Sequence, residues 1–321
     1  MPEKKGKMDK IMEKYMQWYY RGSMHGCNYT CAYCSFSKKR DSSFSLEKDK
    51  ENLYRFVDYM SDNLCKNMPH NAVQIVPYGE AMQYDYYYKA LAVLSKNAYI
   101  DAVGIQSNMS FSVENMLLSY KENGGDLSKL RIWGTFHPDM TDIERFTKKC
   151  DSLSEAGIKY CVGAVAVPEK IEILKELRKR LPKAVYMWLN RMDIRNDADK
   201  KYKGTKKCLY TREQISEFEQ IDRYFFMEMK HHRADRLKCQ DSLFIESDGT
   251  VHGCNICKQT IGNLYESDIK TICSMEKKCS RKECDCYLSY CNHKEEEMMA
   301  FGSYPAFRIA DEISHERMGE K

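Results

Sequence analysis

From residue 46 to residue 190 the chain alternates short β-rich apolar runs with amphipathic helical stretches, and nothing else in it restricts the fold as much. Residues 46–64 place Leu46, Leu53, Phe56, Val57, Met60 and Leu64 at helical spacing, with Ser45 as N-cap and Glu47 in the first turn. The run AVQIVPYGE (72–80) follows, then a helical stretch at about 84–97, DAVGIQSN (101–108) and a second helix. Next come LRIWGTFHP (130–138), a helix at about 140–155 and IKYCVGAVA (158–166). Ile171, Leu174, Leu177 and Leu181 share one helix face, and Pro182 stops that helix. VYMWLN (185–190) is the last such run, and an initial strand near WYYRGSM (18–24) makes six strand–helix alternations before about residue 225. Alternation of this kind implies parallel strands with helices outside, either a doubly wound sheet or an open part of a (β/α) barrel.

The remaining chain reads differently. Residues 193–208 carry almost no apolar side chain and are expected to form a loop on the strand-end face. A helix at about 211–223 precedes a domain boundary near residue 225. SLFIESDGTVHGC (242–254) reads as a β-hairpin turned by Asp248-Gly249. The expected organisation is a basic N-terminal extension over 1–16, a barrel over 17–225, a cysteine-rich module over 226–300 and a C-terminal tail over 301–321. A length of 321 residues suffices for one large α/β domain and such a module.

The net charge of +4 is small for this length and does not point to nucleic acid or membrane. No apolar run approaches the ~20 residues that span a bilayer. The first residues, MPEKKGKMDKIMEK, are basic but lack the apolar core of a signal peptide, so a cytoplasmic protein is expected. Fifteen cysteines would suggest disulfides, which need an oxidising compartment. Their distribution argues otherwise. Three lie within 27–34 and eight between Cys239 and Cys291, while Cys65, Cys150, Cys161 and Cys208 are scattered and read as ordinary small core residues or bystanders. The two dense groups read as two metal sites.

The first group, CNYTCAYC (27–34), has gaps of three and two residues between Cys27, Cys31 and Cys34. Thiolates select zinc, copper(I) or iron–sulfur clusters. A structural zinc needs four protein ligands, and His25 could be the fourth. The loop follows the first expected strand, at the end where α/β folds place their chemistry. The pattern C-x3-C-x2-C with an aromatic residue before the last cysteine resembles the signature of the radical S-adenosylmethionine (SAM) superfamily. That resemblance implies a [4Fe–4S] cluster on Cys27, Cys31 and Cys34 whose open iron chelates the amino and carboxylate groups of SAM. An electron from the cluster would then yield methionine and a 5′-deoxyadenosyl radical, which takes a hydrogen atom from the substrate. A low-potential donor of flavodoxin or ferredoxin type would supply the electron.

The resemblance extends along the strand ends. PYGEA (77–81) stands where the family usually has Gly-Gly-Glu, so Gly79 and Glu80 would meet the SAM amino group, with Tyr78 in place of the first glycine. Tyr33 would border the adenine. Ser107 and Asn108, in QSN (106–108), resemble the family's Thr-Asn-Gly. Thr135 and His137 end the fourth strand, where ribose and carboxylate contacts lie, and Asn190 ends the sixth. Each has an ordinary reading too: Glu80 suits a helix N-terminus, and His137 before Pro138 suits a turn.

In the second group Cys239 and Cys254 stand as C-x9-G-x4-C, which resembles the opening of SPASM/twitch modules and implies an auxiliary [4Fe–4S] cluster. Cys284 and Cys286 would complete its ligands, with Cys279 a rival for one place. The later spacing departs from the full SPASM pattern, so one auxiliary cluster is expected rather than two. Zinc is the alternative metal. The expected fold is thus a partial (β/α)6 TIM-type barrel followed by a small cysteine-rich SPASM/twitch-like iron–sulfur module.

Three functional readings remain at this stage. The first is a radical SAM enzyme acting on a peptide or protein side chain, though no leader-binding domain is evident ahead of the first strand. The second is a metal-stabilised binding or electron-transfer protein without SAM chemistry. The third is RNA modification, favoured by the basic stretches 200–207 and 230–238 and by 23 tyrosines, and disfavoured by the low net charge.

Overall fold

The computed structural model describes residues 15–34, 39–65, 68, 70–194, 206–229, 232–233, 241–256, 259–277, 279, 282–284, 286, 301 and 303–309. Six strands follow the expected alternation: β1 (Tyr15–Gly22), β2 (His70–Ile75), β3 (Ile100–Ser107), β4 (Leu130–Phe136), β5 (Lys159–Ala166) and β6 (Met187–Arg191). Between and after them run α1 (Ser43–Asn63), α2 (Asp85–Lys96), α3 (Val113–Glu122), α4 (Ile143–Glu155), α5 (Ile171–Arg180) and α6 (Arg212–Glu219). The strands pair in parallel, in sequence order, for example Trp18 with Val73 and Trp133 with Cys161. The chain is α/β with a mainly parallel sheet and has the partial TIM-type architecture, the second of the two that the alternation allows. Among the described residues no helix is long and apolar enough to cross a membrane.

The helices cover one face. Trp18, Val73, Val103, Ile132, Val162 and Met187 point into a core shared with Phe56, Leu91, Met116, Phe146 and Leu174. Alternate residues therefore point to the other, inner face, because side chains alternate along a strand. Two details differ from expectation. The N-cap of α1 is Ser42, whose side chain accepts from Ser45 N, so Ser45 is the recipient of the cap. And α6 stops at Glu219, short of 223. Beyond it the buried Asp222 accepts from Tyr186 Oη at 2.6 Å, Leu189 N at 2.8 Å and Tyr224 N at 3.0 Å, and this ties the chain to β6.

After β6 come two-residue strands β7 (Asp193–Ile194) and β8 (Lys206–Lys207), which pair with each other and bracket the expected loop; its residues 195–205 lie outside the described residues. A single turn α7 (Phe225–Glu228) and β9 (His232–Arg233) follow. The expected hairpin is present as β10 (Ser242–Glu246) and β11 (Thr250–His252). Its turn uses Gly249 at φ +87°, a conformation that costs other residues steric strain. With β12 (Thr260–Asn263) the hairpin continues the barrel sheet. β10 lies parallel beside β1, giving the nine-strand order β12-β11-β10-β1-β2-β3-β4-β5-β6. Last come α8 (Ile269–Ser274) and β13 (Glu283–Cys284), which pairs with β9.

The described part of the segment expected as a tail packs on the inner face. Phe307 lies against Ala72 and Ala102, and Ala306 against Tyr19, Val76 and Phe244. The Arg308 guanidinium carbon sits 4.7 Å from the Trp133 ring centroid and 4.3 Å from that of Trp188.

A candidate cluster and nucleotide site at the strand ends

The cysteine loop leaves β1 at Gly22, whose φ of +64° turns the chain. Two carboxylates then set its path. Asp49, fully buried on α1, accepts from Ser23 N at 2.8 Å, Ser23 Oγ at 3.0 Å and Met24 N at 3.0 Å. The hydroxyls of Tyr86 and Tyr87 complete its shell at 3.0 and 2.6 Å. Asp41 accepts from His25 N at 3.0 Å and Gly26 N at 2.6 Å. Sequence reasoning missed both. The signal for Asp49 was its place on the apolar stripe of α1, between Leu46 and Leu53, where a charge needs partners.

Cys27, Cys31 and Cys34 follow on this loop. Cys27 Sγ accepts from Tyr29 N at 3.4 Å and from Asn108 Nδ2 at 3.7 Å. Burial pushes the Cys31 thiol up to about 12, with the neighbouring Cys34 and Cys27 adding to the rise. Burial raises Cys27 as well. Burial thus keeps Cys27 and Cys31 as thiols, and a bound cationic metal core would reverse that preference. Among the described residues no three Cys, His, Asp or Glu side chains converge as a site for one metal ion. Three mutually coupled thiols on one loop suit a cluster, whose irons take one thiolate each.

The end of β2 presses on the same loop. A Cβ on Gly79 would fall 1.9 Å from Gly26 O, and Glu80 N donates to that carbonyl at 2.9 Å. Only glycine permits this approach. The Glu80 carboxylate faces β3, where it accepts from Ser107 Oγ at 2.8 Å, Asn108 N at 2.5 Å and Met82 N at 3.1 Å. Burial nonetheless pushes its pKa up to about 7. Asn108 Nδ2 in turn donates to Asn28 Oδ1 at 2.9 Å, so β3, β2 and the cysteine loop form one hydrogen-bonded unit. Met109 follows at φ +60°, and Lys149 Nζ from α4 donates to the carbonyls of Met109 and Phe111, each at 2.6 Å.

β4 contributes His137, whose Nδ1 lies 2.7 Å from Tyr33 Oη. Burial lowers its pKa to about 4, so the ring is neutral near pH 7. Tyr29 meets the same ring edge-on. The structure thus brings together Cys27, Cys31, Cys34, Tyr33, Gly79, Glu80, Ser107, Asn108 and His137. Thr135 and Asn190 point to the inner face of β4 and β6 without a hydrogen bond to the cysteine loop, and their buried Oγ1 and Oδ1 atoms have no partner among the described residues.

The second cysteine group is described in part. Cys254 Sγ accepts from Ile256 N at 3.3 Å, the same i+2 pattern that Cys27 shows. Cys284 is buried on β13, Cys286 is half-buried and Cys279 is exposed. Cys273 is buried in the main core. Cys239, Cys257 and Cys291 lie outside the described residues.

A partial barrel that carries a three-cysteine loop directly after its first strand is the fold of radical SAM proteins. No family model matches the sequence, and no curated protein matches it. Among solved structures the chain is similar to native anSMEcpe with bound AdoMet, at a TM-score of 0.53 and 13% identity over 81% of each chain. It is similar also to native anSMEcpe with bound AdoMet and Cp18Cys peptide, at a TM-score of 0.52 and 13% identity over 81% of this chain and 80% of that one. These likenesses bear out the radical SAM resemblance at the level of the fold.

Proposed function

We propose that this chain is a radical SAM enzyme that binds a [4Fe–4S] cluster on Cys27, Cys31 and Cys34 and cleaves SAM reductively. The observation that carries the reading is the joint support of the cysteine loop by Asp41, Asp49, Gly79 and Asn108, at the strand end of a fold shared with an AdoMet-bound protein. When bound, the cluster supplies the electron that splits the sulfonium of SAM and generates a 5′-deoxyadenosyl radical. The chain's own residues hold and shape the site. Asn108 steadies Cys27. Glu80 locks the β2 and β3 ends together. Tyr33 and the neutral His137 form a polar wall beside the loop. Thr135 and Asn190 offer unpartnered oxygens on the inner face, where a nucleotide or substrate hydroxyl would satisfy them.

The substrate we favour is a peptide or protein side chain. The anSMEcpe structure with Cp18Cys peptide supports this, since that protein holds a peptide on a similar scaffold. An auxiliary cluster on Cys239, Cys254, Cys284 and Cys286, with Cys279 as rival ligand, would accept an electron from the substrate. A flavodoxin- or ferredoxin-type protein would reduce the first cluster.

The test is anaerobic reconstitution with iron and sulfide, reduction, and assay of 5′-deoxyadenosine. The wild-type chain is expected to form it. Replacing Cys27, Cys31 and Cys34 with Ala is expected to abolish it. Product formation that survives the triple substitution would reject the site, and a chain that binds iron yet never cleaves SAM would favour an electron-transfer protein.

A further inference from the structure

Tyr78 directly precedes Gly79 beyond the end of β2. Its ring stacks on His25, with centroids 5.1 Å apart and planes at 6°. The Arg21 guanidinium carbon stands 5.2 Å from its centroid. Arg21 itself bridges three parts of the chain. It sits near the end of β1, and its Nη1 donates to Val76 O beyond β2 at 3.1 Å. Its Nη2 donates to Asn255 Oδ1 at 2.8 Å. Asn255 directly follows Cys254, and His25 stands two residues before Cys27. A continuous column, His25–Tyr78–Arg21–Asn255, therefore runs from one cysteine loop to the other.

The column has the chemistry to act on a cluster. Arg21 is the cation in it: burial disfavours its charge, and the Glu246 carboxylate favours it. Its Nε–H is buried and has no partner among the described residues. The planar guanidinium can hold Val76 O and Asn255 together while keeping its face on Tyr78, which the single ammonium of lysine cannot do. A four-thiolate iron–sulfur centre carries net negative charge, which grows on reduction. A fixed cation nearby favours the reduced state and raises the potential.

We propose that His25, Tyr78 and Arg21 form a column between the two cysteine loops, in which Arg21 is the positioning residue of the C-terminal iron–sulfur cluster. It fixes the Cys254 loop through Asn255 and sets the potential of that cluster with its charge. The proposal rests on the reading of Cys254 and Cys286 as ligands of an auxiliary cluster.

The experiment uses the full chain with Cys27, Cys31 and Cys34 replaced by Ala, so that only the C-terminal site can hold iron. After anaerobic reconstitution, iron is counted and the midpoint potential is followed by electron paramagnetic resonance. The parent is expected to hold roughly four irons, as one [4Fe–4S] cluster requires. Adding Arg21→Gln is expected to lower the midpoint and alter the line shape. Arg21→Lys keeps the charge but not the fork, so it is expected to restore the midpoint and not the line shape. An unchanged midpoint and line shape in Arg21→Gln would overturn the proposal. Should that variant lose its iron, Asn255→Ala decides, because it leaves the cation in place: an unchanged line shape there overturns the proposal, and an altered one supports it. A parent that binds no iron would instead refute the auxiliary cluster itself, and with it the role given to Arg21.

Discussion

Glu80 and His137 are shifted in opposite directions by the same cause, removal from water. Glu80 rises from 4.5 to about 7. His137 falls from 6.5 to about 4. Between pH 4.5 and 7 the folded chain binds more protons at Glu80 than the unfolded chain does, so this group's contribution to stability falls as pH rises. Between pH 4 and 6.5 the unfolded chain binds more protons at His137, so that contribution rises with pH. Each window is worth about 3 kcal/mol, and over the shared range they nearly cancel. Single substitutions should unmask them. Relative to wild type, Glu80→Gln is expected to gain about 3 kcal/mol of stability between pH 4.5 and 7, and His137→Asn to lose a similar amount between pH 4 and 6.5. Urea unfolding of the three proteins at several pH values measures this, and parallel profiles would contradict it. Neither shift was legible beforehand. The residue types and their strand-end positions were visible in the sequence, but burial depends on what packs around them. Asp49 makes the same point: its helical spacing with Leu46 and Leu53 marked it as core-facing, while its five donors come from a loop and a helix far along the chain.

Among the elements, the contact between β2 and the cysteine loop is the tightest at the site. The three nearest atoms to a Cβ on Gly79 are backbone atoms of His25 and Gly26, at 1.9 to 2.8 Å. Backbone cannot rotate away as a side chain can, so relief requires moving the loop that bears Cys27. Gly79→Ala is expected to lower stability by about 2 kcal/mol or more and to reduce iron bound at Cys27, Cys31 and Cys34. Thermal unfolding and iron analysis of a chain lacking Cys239 and Cys254 would show it; full iron occupancy would mean that the loop tolerates the shift. Local patterns foretold this region well, because β1 to β6 and their helices announce themselves through periods of 2 and 3.6 residues. The same patterns foretold the Asp248-Gly249 hairpin. They could not foretell that β10 lies parallel beside β1, since Gln17 and Ser242 meet only through the tertiary fold. The Ser42 cap was missed because Ser42, Ser43 and Ser45 offer three similar candidates within one turn.

At the scale of the whole molecule, the segment 301–309 turns an open sheet into a filled one. Phe301 is 2% exposed, Ala306 and Arg308 are 0% exposed, and Phe307 is 5% exposed. A Cβ on Gly104 would meet the Phe307 ring at 2.3 Å, so β3 lacks a side chain where this ring enters. Arg308 adopts φ +53° and covers both Trp133 and Trp188, while its charge acts on the buried Asp222. The segment reads as a tail in the sequence because its partners are remote there: Phe307 packs on Ala72 and Ala102, Tyr304 on Tyr15, and Phe301 on Tyr186 and Tyr224. The segment therefore fills the inner face beside the starts of β1 and β3, where Tyr304 meets Tyr15 and donates to Asp101. Removing the plug should be felt throughout. Phe307→Ala leaves a void against Ala72, Ala102 and Gly104 and is expected to cost about 3 to 5 kcal/mol. Two of the three tryptophans, Trp133 and Trp188, lie under Arg308, so loosening the segment should also shift the folded-state tryptophan emission to longer wavelength. Phe307→Leu keeps most of the volume and should retain most of the stability and the emission. If Phe307→Ala unfolds at the wild-type urea concentration with unaltered emission, the segment rests on the barrel without supporting it.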